Sequence, residues 1–412
     1  MYTTKPKNVL YTYWSRVSAF RPNARLYLSS AILTGAALGI YRLLFNFYVL
    51  SLGMDESILG GLITAGNLTA LLAALPMGYL ADFLGRKGSL LLGGGLTALS
   101  ILIMVLWPSQ AIFYAMNVVM GLAQSLAAVS VSPFLVENSG EEERTYLFSL
   151  NQGLQMTAAS VGNWIGGSLP SWIAAGERIS PTSAAAYAGS LGVVAGAACF
   201  GLLPLLWLKS PTLTRSQRTV FAPFAYAAKE PLLLSKLILP MLLTSIGAGL
   251  IMPFMNVFFR VVHHQPDPVI GALFAWGSLA MGIGILVAPP LAERLGKIQV
   301  VVITQALSIP FLILLGFSPW FWAAAIAYYI RLALMNMGGP VYNAYVMEKV
   351  EPQARATVAS LVSMSWNFGW AFSPTISGWA QVHYGFGPSF IGTIVLYTIS
   401  VFLYWVFFWK ND

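Results

Sequence analysis

Apolar residues along this chain neither alternate nor mark out a single stripe; they come in blocks of about 20 or more, separated by short polar joints. Such a block is the length of helix needed to cross the hydrocarbon core of a bilayer. The blocks lie at 26–52, 57–81, 88–107, 111–136, 145–173, 184–208, 237–261, 269–292, 298–317, 320–347, 354–382 and 388–409, with tight joints at Trp107-Pro108-Ser109 and Phe317-Ser318-Pro319. Backbone groups in lipid must bond within their own helix or within a closed barrel, and these runs are too long and too apolar for barrel strands. The pattern predicts an all-α membrane protein of twelve transmembrane helices. The order is a tail at 1–25, a six-helix bundle at 26–208, a polar linker at 209–236 and a second six-helix bundle at 237–412.

Composition supports this reading and removes others. Of 412 residues, 57% are hydrophobic and 9% charged, against about 25% charged in soluble domains. The net charge of +8 does not point to nucleic acid, because the basic residues sit in short loops between apolar runs. In that position they orient a membrane protein. All Lys and Arg except Arg42, Arg178, Arg260 and Arg331 fall on the side of the termini, which places both termini in the cytoplasm; the expected location is the plasma (inner) membrane. Cys199 stands alone, so no intramolecular disulfide forms. The polar, basic first 25 residues do not read as a cleavable signal. There is no phosphate loop, nucleophile set or zinc spacing, so no enzyme and no cofactor is expected. His263, His264 and His383 fall in outer loops, and with Asp267 as the one nearby carboxylate they fall short of a metal site.

The two halves repeat one another. Leu33, Thr34, Gly39, Asn46 and Gly61 recur as Leu243, Thr244, Gly249, Asn256 and Gly271; then, one residue further on, Leu80, Gly85, Glu137, Arg144, Ser149 and Gly167 recur as Leu291, Gly296, Glu348, Arg355, Ser360 and Gly378. Two parallel six-helix repeats form a transporter architecture whose site lies between the halves near the mid-plane.

Between the second and third blocks stands Gly78-Tyr79-Leu80-Ala81-Asp82-Phe83-Leu84-Gly85-Arg86-Lys87-Gly88-Ser89-Leu90. It resembles the G-x-L-A-D-R-x-G-R-K-x-x-L pattern of the major facilitator superfamily, with Phe83 as the departure. A degenerate copy, Leu291-Ala292-Glu293-Arg294-Leu295-Gly296-Lys297, lies in the matching loop of the second half. Gly85 permits a tight turn, and Arg86 and Lys87 are barred from lipid. The resemblance implies a conformational latch of Asp82, Arg86, Glu137 and Arg144, mirrored by Glu293, Lys297, Glu348 and Arg355; solvated loop charge is the plainer alternative. In the fifth block, Ala158 through Gly167, including Gly162 and Gly166, is similar to the glycine signature of drug/proton antiporters, with Asn163 where the family has Pro. Close helix packing would explain the same small residues.

Charges inside spans are costly and mark function by default. Arg42 and Arg331 lie well within blocks, whereas Arg260, near an outer end, is expected to snorkel to the interface. No acid lies in the middle of a block, so proton coupling is in doubt. The arginines either meet an anionic substrate or pair with backbone carbonyls. Candidate cavity-lining residues are Arg42, Asn46, Asn151, Gln155, Asn256, Arg331, Tyr342, Asn343, Trp366, Asn367 and Trp370, with inter-helix hydrogen bonding as the alternative for each. The expected function is secondary active transport of a small organic or amphiphilic solute by alternating access, in the direction of efflux. Import or exchange of an organic anion through Arg42 and Arg331, and lipid flipping, are the alternatives. The expected partners are the substrate, the bilayer and a coupling ion, with the protein monomeric and binding no nucleic acid.

Overall fold

Local chemistry sets where the helices begin and turn. Asp55 accepts the Ile58 N–H at 2.9 Å, and Ser109 and Ser183 accept from Ile112 and Ala186, each satisfying an N–H that the helix leaves unpaired. Pro22 opens the first helix, where its missing N–H costs nothing. In the computed structural model, which describes residues 17–209, 230–350 and 355–409, these starts lead into twelve passes. Residues 1–16 of the expected tail, 210–229 of the expected linker and the side chain of Arg355 lie outside the described residues.

The helices are α1 (Pro22–Ser51), α2 and α3 (the limbs 56–84 and 86–106 of Glu56–Leu106), α4 (Gln110–Glu137), α5 (Glu141–Glu177), α6 (Ala184–Leu206), α7 (Pro231–Val261, with a 3-10 turn at Met252–Phe254), α8 (Asp267–Leu295), α9 (Lys297–Phe317), α10 (Phe321–Lys349), α11 (Arg355–Tyr384) and α12 (Gly387–Phe408). By length and composition, eight of the described helices, counting Glu56–Leu106 as one, could cross a membrane. At about 1.5 Å per residue, the 51 residues of Glu56–Leu106 would exceed a bilayer core twice over. The chain instead bends at Gly85, whose φ of 73° is open to glycine at little cost. Both limbs then pack on α4: Gly66 and Thr69 meet Gly121, while Gly93 meets Ala123. Gly296, the repeat partner of Gly85, turns α8 into α9 with φ 96°. The helices α5, α10 and α11 are long enough to cross but more polar than the rest.

Three of the contacts between the halves are related by a pseudo-two-fold axis. In the α2–α11 contact, Gly60 lies on the Pro374 carbonyl and Gly378 on that of Glu56; in the α8–α5 contact, Gly271 lies on the Asn163 carbonyl and Gly167 on that of Asp267. A Cβ at any of the four would overlap backbone. The repeat therefore pairs Gly60, not Gly61, with Gly271. Gly61 faces the Tyr114 hydroxyl instead, so the one-residue gain falls before α2 rather than after it. The third contact, between α1 and α7, is itself symmetric: Asn46 donates to the Pro253 carbonyl (2.7 Å), and Asn256 donates to the Leu43 carbonyl (2.8 Å).

All three contacts lie toward the face opposite the termini, here called the far face. Toward the termini the helices part. On α11 the stripe that packs at Trp370, Pro374 and Gly378 continues as Ser363, Trp366 and Asn367, all exposed. On α5 the stripe that packs at Ser160, Asn163 and Gly167 continues as exposed Ser149, Gln152 and Gly153. A cleft between the halves thus opens to the face of the termini and closes at the far face.

Candidate functional site

The roof of the cleft is an amide staple. Asn46 Nδ2 bonds Asn256 Oδ1 (2.8 Å) as well as the Pro253 carbonyl, and Asn256 Oδ1 also takes the Val257 N–H (3.0 Å). The Pro253 carbonyl, at the 3-10 turn, is left free for a partner across the interface because the Val257 N–H four residues on goes to Asn256 Oδ1 instead. Both asparagines are buried, and their amides are spent on the opposite half rather than lining open space.

Arg42 sits one helical turn from Asn46, about 6 Å toward the cleft. It is exposed, although Ile40 to Val49 are otherwise buried. On α1 it falls between the face packed on α4 through Phe45 and the face meeting α7 through Asn46, so it points inward. It has no ion-pair or hydrogen-bond partner among the described residues. Arg331 differs. Only 1% exposed, it donates to the Tyr397 hydroxyl (3.1 Å) and lies against Met252 Sδ, strapping α10 to α12 and α7, with its Nε unpartnered and no carboxylate beside it.

The other expected cavity residues divide the same way. Asn151 is buried and accepts from Gln155 (3.2 Å), and Tyr342 is buried with its hydroxyl on the Leu237 carbonyl (2.5 Å). Asn343, Trp366 and Asn367 are exposed, and Trp370 and Gln155 are half-buried. Gln152 and Ser363 share these exposed stripes but were not among the expected residues; only the helix register, seen beside its neighbours, singles them out. Two surface cavities, of about 330 and 290 Å³, lie between α9 and α12 and beside Arg21 and Lys209, away from these residues.

Charges gather at both ends of the bundle. At the face of the termini Arg86 bridges Asp82 (3.3 Å) and Glu137 (3.2 Å), and Arg21 donates to the Glu137 carbonyl (3.1 Å). Lys87 caps the end of α6 through the Leu206 and Leu208 carbonyls. Arg144 joins none of these ion pairs, and its buried Nε lacks an acceptor. In the second half Lys297 pairs with Glu348, and Glu293 is exposed without an ion pair among the described residues. Gly78 is buried where α2 nears its turn, while Gly162 lies on the Ala36 carbonyl and Gly166 on Ile40, so the glycines of α5 serve close packing on α1.

At the far face Arg260 does not snorkel outward, as expected from the sequence. It pairs with buried Asp267, bonds the Tyr187 hydroxyl and stacks 3.6 Å above the Phe47 ring. The Tyr187 O–H donates to Asp267 (2.6 Å). Arg260 and Asp267 belong to the second half, and Tyr187 and Phe47 to the first, so one clamp ties the halves together. The signal for it was slight: an acid opening α8 seven residues after Arg260. Beside the clamp, His263 packs edge-on to Phe258 and Phe321 and tilted against Phe259, where burial and the neighbouring His264 hold its pKa below the ordinary 6.5.

Known proteins share this architecture. The nucleoside transporter NupG superposes with a TM-score of 0.76 at 14% identity, covering 95% of this chain and 99% of that one. A bacterial homolog of the human lysosomal transporter Spinster, in an inward-facing and unoccupied conformation, gives 0.74 at 13% identity over 98% and 97%. A D-xylose-proton symporter gives 0.71 at 16% over 94% and 97%. Human solute carrier family 2, facilitated glucose transporter member 12 is 28% identical over 143 residues, which is 35% of this chain and 22% of that protein's length. The family model of the Major Facilitator Superfamily matches residues 27–266 and again 237–412, so with both halves covered the chain belongs to that superfamily of multi-pass membrane transporters.

Proposed function

We propose that this protein is a secondary transporter that carries a small organic solute bearing an acidic group, and that Arg42 is the countercharge to that group. Arg42 carries the proposal: it is the inward-facing cation at the closed end of the cleft, with no acid to neutralise it among the described residues. A guanidinium there offers a charge-assisted, bidentate partner to a carboxylate or phosphate. The basic loops orient the face of the termini toward the cytoplasm, so the cleft is the cytoplasm-open state of an alternating-access cycle. The solved Spinster homolog in its inward-facing state has the same fold. In this reading the Arg86 and Lys297 pairs brace the cytoplasmic helix ends within each half, and the Arg260 clamp and the amide staple close the outer gate.

Efflux of an amphiphilic compound without an acid is the second reading. It is favoured by the apolar inner face of α8, at Phe274, Met281 and Ile285. Flux into proteoliposomes of a radiolabelled organic anion and of a cationic dye, each with and without a pH gradient, separates the two. Arg42→Gln is expected to cut anion flux by about 10- to 100-fold, the worth of a hydrogen bond to a charged group, with partial recovery in Arg42→Lys. Anion flux that is unchanged in Arg42→Gln refutes the countercharge role. Dye flux independent of Arg42 supports the second reading.

A further inference from the structure

We propose that α11 supplies a stacking wall for a planar aromatic ring, so that the substrates are aryl or heteroaryl compounds; this rests on the reading of the cleft as the solute path. Three stripes divide α11. Gly369 and Ser373 face α7, where they meet Ser245 and Gly249. Met364, Phe368, Ile376 and Trp379 form an exposed stripe that, Trp379 aside, holds only aliphatic and phenyl side chains, the composition of a lipid-facing surface. Ser363, Trp366, Asn367 and Trp370, at the i, i+3, i+4, i+7 spacing of one helix face, make up the third. That face turns toward the other half, because its continuation packs on α2 at Pro374 and Gly378.

A tryptophan at a membrane surface usually marks the interface, and Trp379, beside His383 and Tyr384 at the far end of α11, fits that role. Trp366 and Trp370 do not. They lie in the middle of the 30-residue helix, about 16 and 22 Å from its first residue and so at hydrocarbon depth, on the inward face. Both main chains are pinned: the Trp366 carbonyl takes the Ser245 hydroxyl, and the Trp370 carbonyl takes Asn67 Nδ2 at 3.1 Å. The two rings stand 6.4 Å apart at 43° and do not stack on each other. Trp366 is 37% exposed, leaving ring surface open. The Trp370 indole N–H is buried and turned away from the cleft, so it is the ring faces, not this donor, that the wall offers. Rigid aromatic faces select a flat aromatic ring.

The test compares rings of matched charge that differ in aromaticity. Purified full-length protein is titrated with 2-naphthoate and decahydronaphthalene-2-carboxylate, and with the two corresponding neutral carboxamides, using thermal stabilisation to give relative affinity. Simple apolar partition favours the saturated ring, so a preference for naphthyl isolates stacking. We expect the naphthyl member to bind about two- to tenfold better, the range of aromatic pair energies, with the preference falling to near parity in Trp366→Leu and largely kept in Trp366→Phe. Equal affinities in both pairs for the wild type, or no binding of either naphthyl probe, overturn the proposal, as does a preference unchanged in a folded Trp366→Leu. Should Trp366→Leu fail to fold, the wild-type comparison decides alone. A naphthyl preference in the carboxamide pair alone keeps the stacking wall and removes Arg42 as countercharge. Carboxylate binding that depends on Arg42 but ignores aromaticity does the reverse.

Discussion

Replacing Asn46 with alanine deletes two hydrogen bonds that exist only while the far face is closed: Nδ2 to the Pro253 carbonyl at 2.7 Å and to Asn256 Oδ1 at 2.8 Å. The Pro253 carbonyl is then buried at a break in the helix, and Asn256 Oδ1 keeps only the Val257 N–H. An unsatisfied buried acceptor costs about 1–3 kcal/mol. One full loss and one partial loss come to about 2 kcal/mol, or roughly 30-fold in an equilibrium constant. When the far face opens, water reaches the same groups and the penalty disappears. The perturbation therefore acts on the conformational equilibrium more than on folding. In a Cys199→Ser background, spin labels at Thr182→Cys and His383→Cys, both exposed at the far face on opposite halves, report its opening as a longer distance. Asn46→Ala should populate the long distance. Asn256→Ala should do the same, because the Leu43 carbonyl loses its donor in the symmetric way. The double variant should exceed either single by much less than their sum, since the two amides form one unit. Strictly additive shifts, or a distance distribution that stays short in both singles, would refute the staple as a gate.

The remaining predictions concern the same face. Gly60→Ala and Gly271→Ala put a methyl group on a backbone carbonyl that cannot move aside, so each should weaken far-face closure by tenfold or more; Gly61→Ala, which meets only the tip of Tyr114, should do less by the same distance measurement. Arg260→Gln leaves Asp267 buried and unpaired, a change that costs about 3–5 kcal/mol in other proteins, so it should lower the Tm of the detergent-solubilised protein markedly. Adding Asp267→Asn should recover part of that loss, and a double variant no more stable than the single would argue against an unpaired charge as the cause. His263, held below its ordinary pKa, binds its proton less readily folded than unfolded. Its site therefore costs stability as pH falls below about 6.5 and is neutral above it. Wild-type Tm should drop between about pH 7 and 5, with a smaller drop in His263→Phe; parallel profiles would exclude His263.

Block length and charge placement determined the number of passes, because lipid forces every backbone group into a helix and bars charge from the core, and both constraints act locally along the chain. The turn at Gly85, the repeat of the halves and membership of the family were legible for the same reason, being carried by contiguous residues. What each polar side chain does inside the bundle was not legible. Asn46 and Asn256 stood out as equivalent amides but read as cavity lining, and Arg42 and Arg331 looked alike. Whether such a group meets a partner or open space depends on helix rotation and on which carbonyl across the interface has lost its own donor, as the Pro253 carbonyl does when the Val257 N–H turns to Asn256. Arg260 was misjudged because its partners, Tyr187 and Phe47, lie far away in sequence and in the other half. The sequence by itself determined a lipid-embedded, twofold-repeated bundle; only the tertiary structure decided which polar groups seal the halves together and which are left facing the cleft, because that choice is made by contacts between residues far apart in the chain, in opposite halves.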